Sequence, residues 1–186
     1  MKILGISGSL RRDSYNTKLL RAAGELLPRH AELELWDGLK EIPPYDEDDD
    51  VEPAPPSVAA LRDAVAEADA LLFATPEYNS SVPGQLKNAV DWVSRPLATN
   101  ALRNKPVLVI GASTGAFGAV WSQAELRKIL GATGARVVDA EVAVGHAPTG
   151  FDAGGTLLDE DMRDQLGEAV DALVAETPAG YLALAV

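Results

Sequence analysis

A doubly wound α/β fold, with five parallel strands in the order 2-1-3-4-5 and helices on both faces, is predicted by three observations. Short apolar runs alternate with segments of helical period along the chain, the runs are apolar throughout rather than on alternate residues, and polar glycine-bearing loops follow three of them. Unalternating strands are buried on both faces. Right-handed crossovers between such strands leave the doubly wound sheet as the economical topology. A length of 186 residues suits one domain over 1–186.

The first strand is Lys2-Ile3-Leu4-Gly5-Ile6, ending at Ser7-Gly8-Ser9, after which Leu19, Leu20, Ala23, Leu26 and Leu27 fall at helical spacing. Leu33-Glu34-Leu35-Trp36 reads as the second strand. Residues 43–56, rich in Pro, Asp and Glu, read as a long solvated loop. Val58, Leu61, Val65 and Ala68 then form one helical face behind Pro56-Ser57, and residues 70–75 are the third strand. Pro83 opens a helix through Leu86, Ala89, Val90 and Val93, and residues 106–110 form a fourth strand with nothing polar inside. A helix over 124–130, a last strand over 136–144, and a closing helix carrying Met162, Leu166, Val170 and Leu173 before Pro178 and Gly180 complete the alternation.

Composition removes several function classes. With no cysteine there is no disulfide, thiolate zinc site or thiol nucleophile, and an intracellular, cytoplasmic address is expected. Two histidines disfavour a multi-histidine metal centre. Sixteen basic against 28 acidic residues give a net charge of −12, which repels phosphate backbones and anionic lipid, so neither nucleic acid nor membrane is expected as a partner. The acidic run over 46–52 lacks the glycine and register of a calcium loop and is read as solvated charge.

The irregular segments 7–16, 76–82 and 112–118 follow the first, third and fourth strands, which are neighbours in the 2-1-3-4-5 order. Their loops therefore converge at the carboxyl edge beside the switch point, where open α/β sheets bind ligands. The first loop carries hydroxyls, an amide and Arg11 just before a helix N-terminus, the parts of a phosphate cradle, although Ser14 or Asn16 acting only as a helix cap explains the same residues equally well.

Gly8-Ser9-Leu10-Arg11-Arg12-Asp13-Ser14-Tyr15-Asn16 and Pro76-Glu77-Tyr78-Asn79-Ser80-Ser81-Val82-Pro83-Gly84-Gln85-Leu86-Lys87-Asn88-Ala89-Val90-Asp91-Trp92 resemble, in order, two signatures of the NAD(P)H-dependent FMN reductase family of flavodoxin-like quinone and chromate reductases. The resemblance implies FMN as cofactor, NAD(P)H as co-substrate, a small-molecule electron acceptor such as a quinone, and a homodimer or homotetramer. By the same resemblance Ser9, Leu10, Arg11, Ser14, Tyr15 and Asn16 hold the phosphate, and Pro76, Glu77, Tyr78, Asn79, Ser113, Thr114 and Gly115 the ring. The chemistry agrees, because Tyr78 offers an aromatic wall and loop amides suit the polar edge of an isoalloxazine. Lys87, Asp91 and Trp92 read as a helix-surface pair and a core or interface aromatic. The third loop departs from the family at Ala119, where a second glycine is usual, and at Trp121, near which a basic residue is common; both bear on nicotinamide preference and pocket width.

Two rival readings remain from the sequence. Gly111-Ala112-Ser113-Thr114-Gly115 also fits the G-x-S-x-G elbow of a serine hydrolase, with His146 as base and Asp139 or Glu141 as orienting acid. A flavodoxin-like one-electron carrier shares the expected fold and an acidic surface.

Overall fold

The computed structural model describes residues 1–177; Pro178 and Gly180, expected to end the last helix, lie outside the described residues. β1 (Lys2–Ser7), β2 (Glu32–Trp36), β3 (Ala70–Thr75), β4 (Pro106–Ala112) and β5 (Arg136–Val137) form one parallel sheet in the order β2-β1-β3-β4-β5. The expected doubly wound topology is the one observed. Every residue of β3 and β4 is buried, as their unbroken apolar runs require. Edge strand β2 instead exposes Glu32 and Glu34, charges that discourage pairing with another strand.

Helices cover both faces because their apolar residues recur on one side. α1 (Tyr15–Glu25) and α6 (Glu160–Ala175) bring Leu19, Leu20, Ala23, Leu166, Val170 and Leu173 onto one face of the sheet. α2 (Pro56–Glu67), α3 (Gly84–Val93) and α4 (Val120–Ala132) bring Val58, Leu61, Leu86, Val90, Leu126 and Leu130 onto the other. Trp92 is a core residue, fully buried, and Lys87 pairs with Asp91 at 2.7 Å one helical turn on.

The last strand differs from its sequence reading. Residues 136–144 are not one strand: β5 and β6 (Ala143–Val144) pair with opposite ends of β4. Val107 faces Val137 and Gly111 faces Ala143, so the second chain takes two more residues than β4 to cover the same length. The excess bulges outward because the run contains Asp139 and Glu141, which cannot enter a sheet covered on both faces. Val138 and Val142 stay buried while Glu141 pairs in solvent with Arg127 at 3.0 Å. A one-turn α5 (Ala147–Gly150) follows, with Pro148 in its first turn, and α4 begins four residues before the expected 124.

The segment 43–56 is stitched down rather than loosely solvated. Trp92 Nε1 and Asn88 Nδ2 donate to the Pro43 carbonyl at 2.8 and 2.7 Å, and the Tyr45 amide donates to Asn88 Oδ1 at 2.7 Å. Asp50 pairs with Arg62 at 2.8 Å. The acidic residues 46–49 remain on the outside.

Candidate functional site

Three loops leave the carboxyl ends of β1, β3 and β4 side by side, and close packing at small residues makes them converge. Gly8 donates its amide to the Ala74 carbonyl at 2.8 Å, and a Cβ there would stand 2.7 Å from Leu86 Cδ2 and 3.2 Å from Pro76 Cδ. A side chain at position 8 would have to push Leu86 aside, so glycine is what lets the first loop lie this close to the second. Gly118, at φ 57°, approaches β6 so closely that a Cβ would stand 2.3 Å from the Ala143 carbonyl carbon. Ala119 follows at φ 65°, a left-handed conformation in which a glycine would be at ease.

The result is an open cleft of about 140 Å³ whose lining includes Ser9, Arg11, Ser14, Tyr15, Asn16, Pro76, Glu77, Tyr78, Ser113 and Thr114. Of the residues expected at the site, Leu10, Asn79 and Gly115 stand on the same loops outside that lining. Three roomier cavities, two of about 410 Å³ and one of about 270 Å³, lie beside or away from it, but of the four only the smaller cleft is lined by all three loops.

On the first loop, Ser14 caps α1: its Oγ accepts from the Thr17 amide at 3.3 Å and keeps its O–H to donate. The amides of Tyr15 and Asn16, in the first helical turn, donate to no acceptor among the described residues. Free amides at a positive helix end suit a phosphate. The guanidinium of Arg11 lies 5.7 Å from the Tyr15 ring centroid, and that ring stacks on Phe151 at 6.1 Å. Asn16 works differently. It is buried, with Nδ2 donating to the Ala112 carbonyl at 3.0 Å and Oδ1 accepting from the Ala112 amide at 2.9 Å, so its side chain bolts the first loop to the end of β4.

The second loop is a two-residue hairpin. Tyr78 and Ser81 exchange both backbone hydrogen bonds at 3.2 Å, while Asn79 and Ser80 between them adopt φ 53° and 60°. Positive φ at both central positions is the type I′ turn, whose twist matches flanking strands, and it leaves Tyr78 half exposed at the rim. The amides of Glu77 and Asn79, and of Thr114 and Gly115 on the third loop, donate to no acceptor among the described residues. They form the kind of donor set that a flat heterocycle with a polar edge requires.

The turn that begins α4 ties the second and third loops together, and sequence reasoning missed it. Glu77 Oε2 accepts from the amides of Trp121 and Ser122 at 3.1 and 3.2 Å, capping the helix from the neighbouring loop. The Thr75 hydroxyl shares a 2.8 Å hydrogen bond with Ser122 Oγ and donates to the Pro76 carbonyl at 2.8 Å, and Gln123 Nε2 donates to the Gly118 carbonyl at 3.0 Å. Glu125 reaches back to Ser81 and Val82. These partners are up to 47 positions apart, beyond any local pattern.

The hydrolase geometry is absent among the described residues. Ser113 Oγ donates to the Gly115 carbonyl at 3.3 Å rather than to an imidazole, the irregular residues 113–119 separate it from α4, and Glu141 is engaged by Arg127. A nucleophile elbow turns straight into its helix.

Residues 1–149 match the family described as NADPH-dependent FMN reductase. The chain belongs to that family. It is 44% identical over 174 residues to an NAD(P)H-dependent FMN reductase of Pseudomonas aeruginosa, covering 93% of each chain. It is 37% identical over 176 residues to a 2-hydroxy-1,4-benzoquinone reductase of Burkholderia sp, covering 94% of this chain and 95% of that one. Among solved structures, FerB, a flavoenzyme NAD(P)H:(acceptor) oxidoreductase from Paracoccus denitrificans, superposes with a TM-score of 0.82 at 37% identity over 93% of this chain and 94% of its own. Family membership makes this chain an FMN-dependent oxidoreductase that uses NAD(P)H. The donor set above fits that cofactor, with free amides and hydroxyls at a helix start for the phosphate and free loop amides beside Tyr78 for the ring.

Proposed function

We propose that this protein is an FMN-dependent NAD(P)H:quinone oxidoreductase whose cofactor lies in the three-loop cleft. The observation that carries the assignment is the meeting, in one open cleft, of an anion-ready helix start with two loops of free amides and one exposed tyrosine. Relatives named quinone reductase from Escherichia coli and 2-hydroxy-1,4-benzoquinone reductase from Burkholderia sp support a quinone as acceptor.

In this reading Ser9, Leu10, Arg11, Ser14 and Tyr15 bind the phosphate, and Asn16 positions their loop against β4. Pro76, Glu77, Tyr78 and Asn79 on one side, and Ser113, Thr114 and Gly115 on the other, hold the ring. Bound FMN supplies a centre that takes hydride from NAD(P)H and passes two electrons to the acceptor. The protein then orients and tunes. Backbone donors of the second and third loops oppose negative charge that develops at the polar ring edge, and no side-chain acid or base is needed. Small loop residues leave one broad face open to a nicotinamide or a quinone. The protein acts as a homodimer or homotetramer in the cytoplasm; the absence of cysteine supports that address.

The test is direct. Purified protein should be yellow, release FMN on denaturation, and oxidise NADPH or NADH only when benzoquinone is present in anaerobic buffer. A colourless protein that takes up no added FMN, and consumes neither nicotinamide, would overturn the assignment.

A further inference from the structure

On the far side of the first loop, between α1 and the segment after β2, lies a cavity of about 410 Å³ that the flavin reading leaves without a role. It shares Ser9 and Arg11 with the flavin cleft, so the two meet across the crest of that loop. Its apolar lining includes Leu35 and Trp36, both half-buried, with the fully buried Leu20 behind them. The Trp36 indole lies against Gly38, where an added Cβ would stand 2.7 Å from ring atom Cζ2, so backbone holds one side of the ring in place. Asp37 is the first residue beyond the carboxyl end of β2. Arg21 and Lys40, both exposed, stand at the rim, and neither takes part in an ion pair among the described residues. In a chain with a net charge of −12, these two unpaired cations share the lining with the carboxylates of Asp37 and Glu41, and with Arg11 they leave this cavity a surplus of positive charge.

We infer that this cavity seats the adenosine diphosphate half of NAD(P)H while the nicotinamide lies over the ring loops. The inference rests on the flavoenzyme reading and extends it to the rest of the dinucleotide. Each part of that ligand has a counterpart here. Adenine is flat and largely apolar and suits Trp36 and Leu35. Phosphate oxygens suit Arg21 and Lys40, the two cations outside the flavin cleft. A carboxylate just past the second strand, here Asp37, is placed to accept from ribose hydroxyls in mononucleotide-binding sheets. The reach is right as well. From the β3/β4 boundary to the β2/β1 boundary is two strand spacings, roughly 10 Å, a span an extended dinucleotide crosses.

The experiment uses the FMN-loaded protein and a double variant, Arg21→Ala with Lys40→Ala, whose two side chains are exposed and lie outside the flavin cleft. ADP is titrated by calorimetry, and steady-state rates are compared for NADPH, NADH and reduced nicotinamide mononucleotide, which lacks the adenylate. ADP should bind the wild type and bind the variant about tenfold or more weakly. KM for the dinucleotides should rise by a similar factor, with kcat and the mononucleotide rates unchanged. Failure of ADP to bind the wild type, equal ADP binding by both proteins, or a KM rise for the mononucleotide that matches the dinucleotides would overturn the inference. If no nicotinamide is oxidised yet ADP binds in an Arg21- and Lys40-dependent way, the nucleotide site is supported and the oxidoreductase reading is what fails.

Discussion

Glu125 on α4 clasps Ser81 on the second loop, its Oε2 accepting from the Ser81 hydroxyl at 2.6 Å and from the adjoining Val82 amide at 3.1 Å. Glu77 answers from the loop by capping α4 at Trp121 and Ser122. Two carboxylates therefore cross-brace the loop that presents Tyr78 and the helix that follows the third loop.

Glu125→Ala should loosen that brace from the loop side. FMN affinity should fall several-fold and KM for the nicotinamide should rise, while Glu125→Gln, which retains an acceptor oxygen, should recover most of the loss. The brace is also pH-dependent. The Ser81 hydroxyl, and then the Val82 amide, hold the Glu125 carboxyl below its ordinary value. A carboxyl lowered by folding contributes its stabilisation above the unfolded value and loses it as pH falls through the folded value. The brace is thus strongest at neutral pH and weakens in acid, where the protonated carboxyl, like Gln, keeps only a neutral acceptor and the wild type should approach the Gln variant. Identical acid profiles for wild type and Glu125→Ala, measured by flavin release, would count against it.

Asn16→Ala should be costly for a different reason. Removing the buried amide strands both the N–H and the C=O of Ala112, each of which loses its Asn16 partner at 2.9 or 3.0 Å. Two unsatisfied buried groups imply a loss of about 2–4 kcal/mol, readable as a lower urea midpoint with unchanged slope. Asn16→Asp should also destabilise, since it lacks the donor that reaches the Ala112 carbonyl. A stability change below about 0.5 kcal/mol would mean that the bolt is not structural.

How far the sequence reached depends on the range of the interaction. Strand order and the three converging loops were legible because burial on both faces writes itself as uninterrupted apolar runs, and a parallel order follows from alternation. The Ser14 cap was legible because it acts over three residues. The split of the last strand was foreshadowed only by Asp139 and Glu141, whose charge a buried strand cannot hold. Asn16 reads in sequence as an amide near a helix start, yet its partner is Ala112, 96 positions away. Glu125, Gln123 and Ser122 carried no local signal at all, because a side chain reaching a distant backbone leaves no period or motif.

Arg11→Ala tests the phosphate end of the cleft. FMN affinity should fall roughly tenfold or more, while riboflavin, which has no phosphate, should bind the variant nearly as it binds the wild type. Fluorescence quenching on titration of the flavin-free protein with each ligand reads the difference. Equal losses for the two ligands would remove Arg11 from the phosphate site.

Ser113 should behave as a loop residue and not as a nucleophile. Its hydroxyl meets the Gly115 carbonyl, not His146, so a fluorophosphonate probe should leave it unlabelled. Ser113→Ala should keep reductase activity within roughly tenfold of the wild type, the effect of one neutral hydrogen bond. Stoichiometric labelling of Ser113 would revive the hydrolase reading.

The last prediction concerns the order in which donor and acceptor use the cleft. This is an open cleft of about 140 Å³, with Pro76, Glu77 and Tyr78 of the second loop and Ser113 and Thr114 of the third in its lining. Pro76 is buried and Glu77 is engaged with α4, which holds the second loop in place and leaves no second seat behind it. A nicotinamide and a quinone, each flat and each needing the same exposed face, must therefore alternate. Initial rates measured at several NADPH concentrations against benzoquinone should give parallel double-reciprocal lines, and excess of either substrate should inhibit competitively against the other. One quinone should be consumed for each NADPH, with no quinone radical detected by electron paramagnetic resonance. A protein serving as a one-electron carrier would instead oxidise NADPH poorly and release radical in proportion to turnover. Intersecting lines with noncompetitive inhibition would place donor and acceptor in separate seats and show that the braced wall moves after all.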